Sequence, residues 1–238
     1  MPVRIGVHPV LEALRVRRAL ERVVIAKGVS GPRMQEIIDL CRENSIPVRF
    51  EPRDVLDRLA GTATHQGVVA LGAAQLHADL EDLIEGARLL VLLDGVEDPH
   101  NLGAIVRTAH AAGADAVVVP ERRAAGLTET VSKAAAGALE HLPVARVSNI
   151  GQTLEKLKER GYWVYGLDER GDESYDRVDY AAPTALVLGG EGKGLHELVR
   201  RRCDFLVRIP LAGKISSLNV SVAAGIVLFE WKRRQPTR

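Results

Sequence analysis

Between residues 88 and 209 the chain alternates six short, almost wholly apolar segments with helix-like stretches. The segments are Leu89-Leu-Val-Leu-Leu, Ala116-Val-Val-Val, Leu142-Pro-Val-Ala-Arg-Val, Trp163-Val-Tyr-Gly-Leu, Thr184-Ala-Leu-Val-Leu and Phe205-Leu-Val-Arg-Ile. A strand that is apolar at nearly every position, rather than every second one, has to be buried on both faces. Strands of that kind joined through helices run parallel, and the helices supply the cover. The fold class is therefore α/β, with a parallel sheet in the carboxyl-terminal part. In such sheets ligands sit beyond the carboxyl ends of the strands, which directs attention to the residues after Leu93, Leu188 and Ile209. The acidic, irregular stretch 169–180 reads as a surface loop.

Ahead of this the elements are shorter. The pattern predicts a helix over 8–16, a strand at 23–26 and a helix from Pro32, a favoured first-turn residue, to 43. A strand at 48–50, a helix over 53–59 and a strand at 66–71 come next. Units this short make a small α/β sandwich of their own. Residues 74–87 are polar and Ala-rich and read as a linker, so the expected division is 1–73, 74–87 and 88–238.

The 238 residues are 46% hydrophobic and 26% charged, an ordinary balance for a soluble globular chain. A net charge of +1 excludes the overall basic field that would by itself argue for nucleic acid. Residues 1–73 nonetheless hold 11 Lys/Arg against 8 Asp/Glu, with Arg15, Arg17, Arg18 and Arg22 close together. Such a cluster is more often a solvated helix face than an RNA contact. Cys41 and Cys203 are too few and too far apart for a disulfide framework or a metal site, and read as small buried hydrophobes. No signal peptide and no long apolar run is visible, so the expected location is the cytoplasm, with no membrane partner. At 4%, aromatic residues offer few platforms for stacking bases.

Each of the three strand ends carries polar residues. After Leu93 comes Asp94-Gly-Val-Glu-Asp-Pro-His-Asn, then an apolar helix that Gly113 ends, with Asn101 read as its N-cap. Arg107 lies six residues on, one to two turns up the helix. A guanidinium among Ala, Ile and Val is costly to bury unless it meets an anion. An Arg that snorkels, or pairs with Asp115 or Glu97, is the plainer alternative. After Leu188 comes Gly189-Gly-Glu-Gly-Lys-Gly-Leu, where glycines around Glu191 let backbone approach a ligand. The spacing before Lys193 excludes a P-loop. After Ile209 the chain breaks at Gly213, turns at Ser216-Ser217 and enters a nearly uncharged helix over 218–229, of the kind buried on most sides. Ser217 is read as its N-cap, aiming Ser217, Asn219 and Ser221 at one spot. A lone Ser-x-Asn of this kind is more often just a capped core helix. The collected residues include no His or Cys, so a nucleophilic triad is poorly supported, and no carboxylate–His cluster suggests metal. A nicotinamide dehydrogenase is remote, since the Gly-x-Gly-x-x-Gly fingerprint is missing after the first long strand.

Three stretches, Asn101-Leu-Gly-Ala-Ile-Val-Arg107, Leu188-Gly-Gly-Glu-Gly-Lys-Gly-Leu and Ile209-Pro-Leu-Ala-Gly-Lys-Ile-Ser-Ser-Leu-Asn-Val-Ser-Val-Ala, resemble the three ordered motifs of the SpoU family. These are the TrmH-like RNA ribose 2′-O-methyltransferases of the SPOUT superfamily. Gly6-Val-His-Pro-Val-Leu-Glu-Ala-Leu and Thr64-His-Gln-Gly-Val-Val-Ala resemble the family's amino-terminal substrate-binding domain. Asp94-Gly-Val-Glu-Asp-Pro-His-Asn and Val131-Ser-Lys-Ala-Ala-Ala-Gly-Ala-Leu-Glu resemble the branch that methylates a guanosine of large-subunit (23S) ribosomal RNA.

The resemblance implies a trefoil knot in the carboxyl-terminal domain and a ribosomal-protein-like RNA-binding domain before it. It implies S-adenosylmethionine as cofactor, held largely by backbone at Gly189, Ile209 and Leu218, and a homodimer with the last helix at its interface. It also implies that Arg107 activates the 2′-OH, that Asn101 positions Arg107 or the RNA, and that Glu191 anchors Asn101 or the substrate. Ser217 and Asn219 would line the pocket. A guanidinium scarcely deprotonates, so a phosphate held by Arg107 is the alternative proton acceptor. The 2′-OH makes RNA rather than DNA the expected partner. Two rivals stay open: the same chemistry on transfer RNA, and a non-catalytic RNA-binding ribosome-assembly factor.

Overall fold

The computed structural model describes residues 3–16, 20–72, 78–192, 194–214 and 217–236. The chain forms two compact units. One comprises Met1–Leu76 with Leu127–His141, the other His77–Gly126 with Leu142–Arg238.

The first unit runs β1 (Val3–Ile5), α1 (Val7–Arg15), β2 (Leu20–Ala26), α2 (Pro32–Glu43), β3 (Val48–Glu51), α3 (Arg53–Ala60) and β4 (Val68–Gly72). Its sheet has the order β1-β4-β2-β3. Strand β1, absent from the expected elements, pairs antiparallel with β4, Arg4 opposite Ala70. Alternation along β2 and β4 divides the core in two. Val23, Ile25, Val68 and Ala70 pack against α1 and α2 through Leu14, Met34 and Ile37. Val24, Ala26, Val69 and Leu71 pack against α3 through Leu56 and Ala60. A period of two thus yields helices on both faces. The Thr64-His-Gln-Gly segment is a staple. Buried His65 accepts the Gly67 N–H at Nδ1 (3.0 Å) and lies 2.9 Å from Asp57 through Nε2, while Gln66 Oε1 accepts the first N–H of α1, from Val7, at 2.9 Å.

Of the arginine cluster, Arg15 is paired with Glu12 and Glu36 (both 2.6 Å), and Arg22 with Glu21 (2.9 Å). Arg17 and Arg18 lie outside the described residues.

The second unit opens with α4 (Leu80–Ile84), which buries Leu80 and Ile84 against its own sheet, and continues through β5 (Leu89–Asp94), α5 (Pro99–Ala112) and β6 (Ala116–Pro120). After α6 (Glu129–Ala135), which groups with the first unit, come β7 (Val144–Val147), α7 (Ile150–Glu159), β8 (Trp163–Leu167), β9 (Glu173–Ser174), β10 (Thr184–Gly189), α8 (Glu197–Arg200), β11 (Phe205–Arg208) and α9 (Val220–Arg234). The seven strands lie in the order β7-β6-β5-β10-β8-β11-β9, and every adjacent pair is parallel. All six apolar segments are strands of this sheet. Every residue of β5 is buried. Leu90, Leu92, Ala185 and Val187 meet α7 and α8 on one face, and α5 and α9 pack together on the other.

Three expectations are corrected by this architecture. The stretch 169–180 is not merely a surface loop: it contributes β9, buries Val178 and Tyr180, and is clasped by Arg234 through Asp179 and the Asp176 carbonyl. The last helix begins at Val220, not 218, and runs to Arg234, so it ends in charge. It is not buried on most sides either, because Val222 and Phe229 are each 51% exposed. Cys41 is buried as expected, whereas Cys203 is only half-buried; desolvation pushes the Cys41 thiol up to about 11 and that of Cys203 up to about 12, which favours the protonated form of both. No helix among the described residues is long and apolar enough to cross a membrane.

Candidate active site

The carboxyl ends of β8 and β10, the residues after β11 and the start of α9 enclose a cleft of about 540 Å³. That is within the usual size of a small-ligand site. Its apolar wall includes Leu188, Ile209, Leu211 and Leu218; Gly189, Gly190 and Glu191 form another side, and Asp168, Glu169 and Arg170 a third. The glycines at the end of β10 serve a purpose the sequence did not disclose. A Cβ on Gly189 would lie 2.1 Å from the Gly194 carbonyl carbon, and one on Gly190 would lie 2.0 Å from the Gly95 oxygen. They let protein backbone approach protein backbone, which closes the Glu191 turn and holds it against the end of β5.

Neither expected N-cap is the observed one. Helix α5 is capped by Asp98, whose Oδ1 accepts the His100 N–H at 3.0 Å, and Pro99 takes the first helical position. Helix α9 is capped by Asn219, whose Oδ1 accepts the Ser221 and Val222 N–H groups at 2.9 and 3.4 Å. Asn101 therefore sits inside the first turn of α5, its side chain free for tertiary contacts.

These contacts form one directed relay. With its oxygen committed to the helix cap, Asn219 has only its amide N–H to offer, and donates it to Asn101 Oδ1 at 3.0 Å. Asn101 is then left with its own N–H, which it donates to Glu191 Oε1 at 2.5 Å. The terminal group must accept, which a carboxylate does. Asn101, the middle member, is 8% exposed, while Glu191 and Asn219 at the two ends are open to solvent. Three strand-end motifs are thereby joined by hydrogen bonds, with Glu191 anchoring Asn101.

The remaining predicted residues divide. Gly189, Ile209, Ser217 and Leu218 line the cleft with Glu191 and Asn219. Arg107 does not: it is exposed on α5, outside the cleft lining, and no hydrogen bond or ion pair is found for it among the described residues. Its expected partner Asp115 accepts the Arg88 and Leu89 backbone N–H groups instead, at 2.7 and 2.9 Å. Lys193 and Ser216 lie outside the described residues.

Two polar pairs went unnoticed in the sequence. Asp168 comes immediately after β8 and is fork-bonded to Arg170; that contact is the main cause holding its carboxyl below the usual range. Applying the strand-end rule to β8 as well would have found it. Asp94, buried at the end of β5, accepts the His196 backbone N–H (2.8 Å) and lies 3.0 Å from its Nδ1.

The sequence profile described as the SpoU rRNA methylase family matches residues 88–229, more than half of the chain. The chain belongs to the SpoU family. A second profile, described as RNA 2′-O ribose methyltransferase substrate binding, matches residues 5–75. This SpoU chain is 46% identical over 239 residues to the Bacillus subtilis (strain 168) protein YacO, which is named for the TrmH family of tRNA/rRNA methyltransferases; 98% of this chain and 96% of YacO are covered. An AdoMet-bound rRNA methyltransferase from Sinorhizobium meliloti superimposes with a TM-score of 0.83 at 26% identity, covering 99% of this chain and 88% of that one. The A. aeolicus TrmH/SpoU tRNA modifying enzyme matches with a TM-score of 0.57 at 32% identity, covering 65% of this chain and 80% of its own.

Proposed function

We propose that this SpoU chain transfers the methyl group of S-adenosylmethionine to the ribose 2′-OH of a guanosine in 23S ribosomal RNA, as a cytoplasmic homodimer. In this reading residues 1–73 bind the RNA and 88–238 form the knotted methyltransferase domain, with the expected linker 74–87 contributing α4 to the second unit's core. The observation that carries it is the Glu191–Asn101–Asn219 relay at the edge of the cleft. The cleft's own make-up suits the cofactor, with apolar side chains for an adenine, backbone groups along the Gly189 turn for its polar edge, and carboxylates for cationic groups. Ribosomal rather than transfer RNA is favoured by coverage: the rRNA enzyme resembles nearly the full chain, the tRNA modifying enzyme about two thirds of it.

Bound, the cofactor would present a methyl group on a positively charged sulfur. The protein's part is placement, since an in-line displacement gains most from alignment. Gly189, Ile209 and Leu218 hold the cofactor, Ser217 and Asn219 line the pocket, and the relay keeps Glu191 and Asn101 in fixed orientation beside it. Arg107 carries an uncommitted guanidinium suited to a phosphate or ribose oxygen of RNA. Exposed Val222 and Phe229, with half-buried Ile226 between them, recur at helical spacing along α9 and offer a second copy an apolar face.

Labelled methyl transfer to 23S rRNA and tRNA transcripts tests the reading, with the modified position mapped. Label at a guanosine 2′-O of 23S rRNA supports it, and loss of that label in Arg107→Ala assigns the guanidinium a part in the chemistry. Label confined to tRNA would transfer the activity to that substrate. RNA binding with no transfer to either would leave a non-catalytic factor.

A further inference from the structure

The loop leaving β8 turns at Asp168, a carboxylate only 5% exposed. A buried charge needs a partner, and Arg170 supplies three bonds: Nε to Oδ1 at 2.8 Å, Nη2 to Oδ2 at 2.8 Å, and its backbone N–H to Oδ1 at 3.0 Å. This two-pronged geometry is the strong, directional form of the contact. The loop itself is tied down. Gly171 N–H donates to the Asp168 carbonyl (3.0 Å), and Arg208 donates to the Gly171 carbonyl and to the Asp172 carbonyl (3.0 Å). The guanidinium of Arg170 is thus fixed on the cleft wall, yet its side chain is 50% exposed and its Nη1 meets no protein acceptor among the described residues.

The charges along the cleft are unequal. Asp168, Glu169 and Glu191 are acidic, and Arg170 is the one cationic side chain among the described residues of its lining. An S-adenosylmethionine molecule carries two cationic groups, which acidic walls suit, and one carboxylate, which they do not. That carboxylate loses its water on entry and requires a donor. The Asp168–Arg170 pair is neutral as a whole, so it does not repel the cationic groups, while the unclaimed N–H groups of Arg170 remain available. Because the guanidinium is already held in place, little side-chain freedom is lost when the ligand arrives.

Resting on the cofactor reading above, we propose that Arg170, oriented by Asp168, receives the carboxylate of the cofactor's methionine portion and sets the preference for ligands that carry it. Asp168 acts through Arg170 and is a positioning residue.

The test is calorimetric titration of the full chain with S-adenosylmethionine and with decarboxylated S-adenosylmethionine, which differ only in that group. Wild type is expected to bind the carboxylated form about 10- to 100-fold more tightly, the range of one charge-assisted bond. Arg170→Gln should weaken it by about the same factor and leave the decarboxylated form within about twofold, so that the preference disappears. Arg170→Lys should restore part of the preference, having charge without the fork. Since Arg170→Gln strands a buried carboxylate, the double variant Asp168→Asn/Arg170→Gln provides a neutral pair, and unchanged thermal unfolding verifies its fold. An unaltered preference in a folded double variant overturns the proposal, as does weaker binding of RNA alone, which would make Arg170 a phosphate contact. Wild type that binds neither ligand overturns the cofactor reading beneath it, an outcome distinct from wild-type binding with no effect of the variants.

Discussion

At the scale of single residues, the candidate site is a matter of which amide end points where. Asn219 is constrained first, because its oxygen caps α9, and each later orientation is set by that one through Asn101 to Glu191. Cap and relay can therefore be separated by mutation. Asn219→Asp keeps an oxygen for the cap but loses the N–H that reaches Asn101, so the expected result is near wild-type thermal stability with methyl transfer reduced about 10- to 100-fold. Asn219→Ala removes both, and should also lower stability by about 1 kcal/mol. Thermal unfolding and single-turnover transfer on the same samples check the pair; equal activity in Asn219→Asp and wild type would remove the relay from the chemistry. The relay residues stand in the stretches that the sequence singled out, but which residue caps each helix was not legible there. Both helices offer two good cap types within four residues, Asp98 and Asn101, Ser217 and Asn219. Local preference ranks these alike. For α5 a sharper signal was present, since Pro99 favours the first helical position and so places the cap at Asp98. For α9 the decision came from Asn101, a residue 118 positions away.

At the scale of elements, strands were easier to read than the turns and helices between them. A fully apolar segment can hardly be anything but a doubly covered strand, so all six in the second unit were found. The short β1 was missed because Val3-Arg-Ile is too brief to show a period, and its register depends on β4. Helix α9 was read as uncharged because its charges lie in its last turns, past the apolar run. There Glu230, 9% exposed, accepts from Arg233 (2.8 and 2.6 Å) and Arg234 (2.7 Å). The Arg233 contact is the main cause bringing its carboxyl down to about 2. An unfolded Glu titrates near 4.3, so the folded pKa is the lower one. The resulting stabilisation is fully present above about pH 4.5 and fades as the pH falls from there towards 2. Glu230→Gln should therefore cost about 1–2 kcal/mol at neutral pH and only about a few tenths of a kcal/mol near pH 2. Thermal unfolding of both proteins across that range should give curves that converge on acidification; a constant gap would mean that Glu230 acts through packing rather than charge.

At the scale of the whole molecule, the single chain leaves a pairing undone. Asn101, Glu191 and Asn219 are bonded together beside the cleft, while Arg107, on the same helix as Asn101 and six residues away, stays exposed with no partner among the described residues. Six residues along a helix is a rise of about 9 Å and a rotation well away from the Asn101 face. Arg107 is therefore set on another face of α5 from Asn101 and outside the lining of its own cleft, so an Arg107 that meets substrate at a cleft is tested first against the cleft of a second copy. The apolar stripe of α9 supplies the surface through which two copies could join. Mixing two inactive variants tests this arrangement. Arg107→Ala lacks the guanidinium and Glu191→Gln lacks the carboxylate end of the relay. In a two-fold dimer with the guanidinium acting across the interface, each mixed dimer contains one site with both groups intact. Random exchange makes about half of the dimers mixed, with one of two sites working, and so restores about a quarter of wild-type transfer. If Arg107 serves its own chain's cleft, every site in every dimer lacks one group and mixing restores nothing. Phe229→Glu places a charge in the apolar stripe; it should shift sedimentation towards the monomer and abolish the recovery on mixing, which ties the shared site to that face of α9.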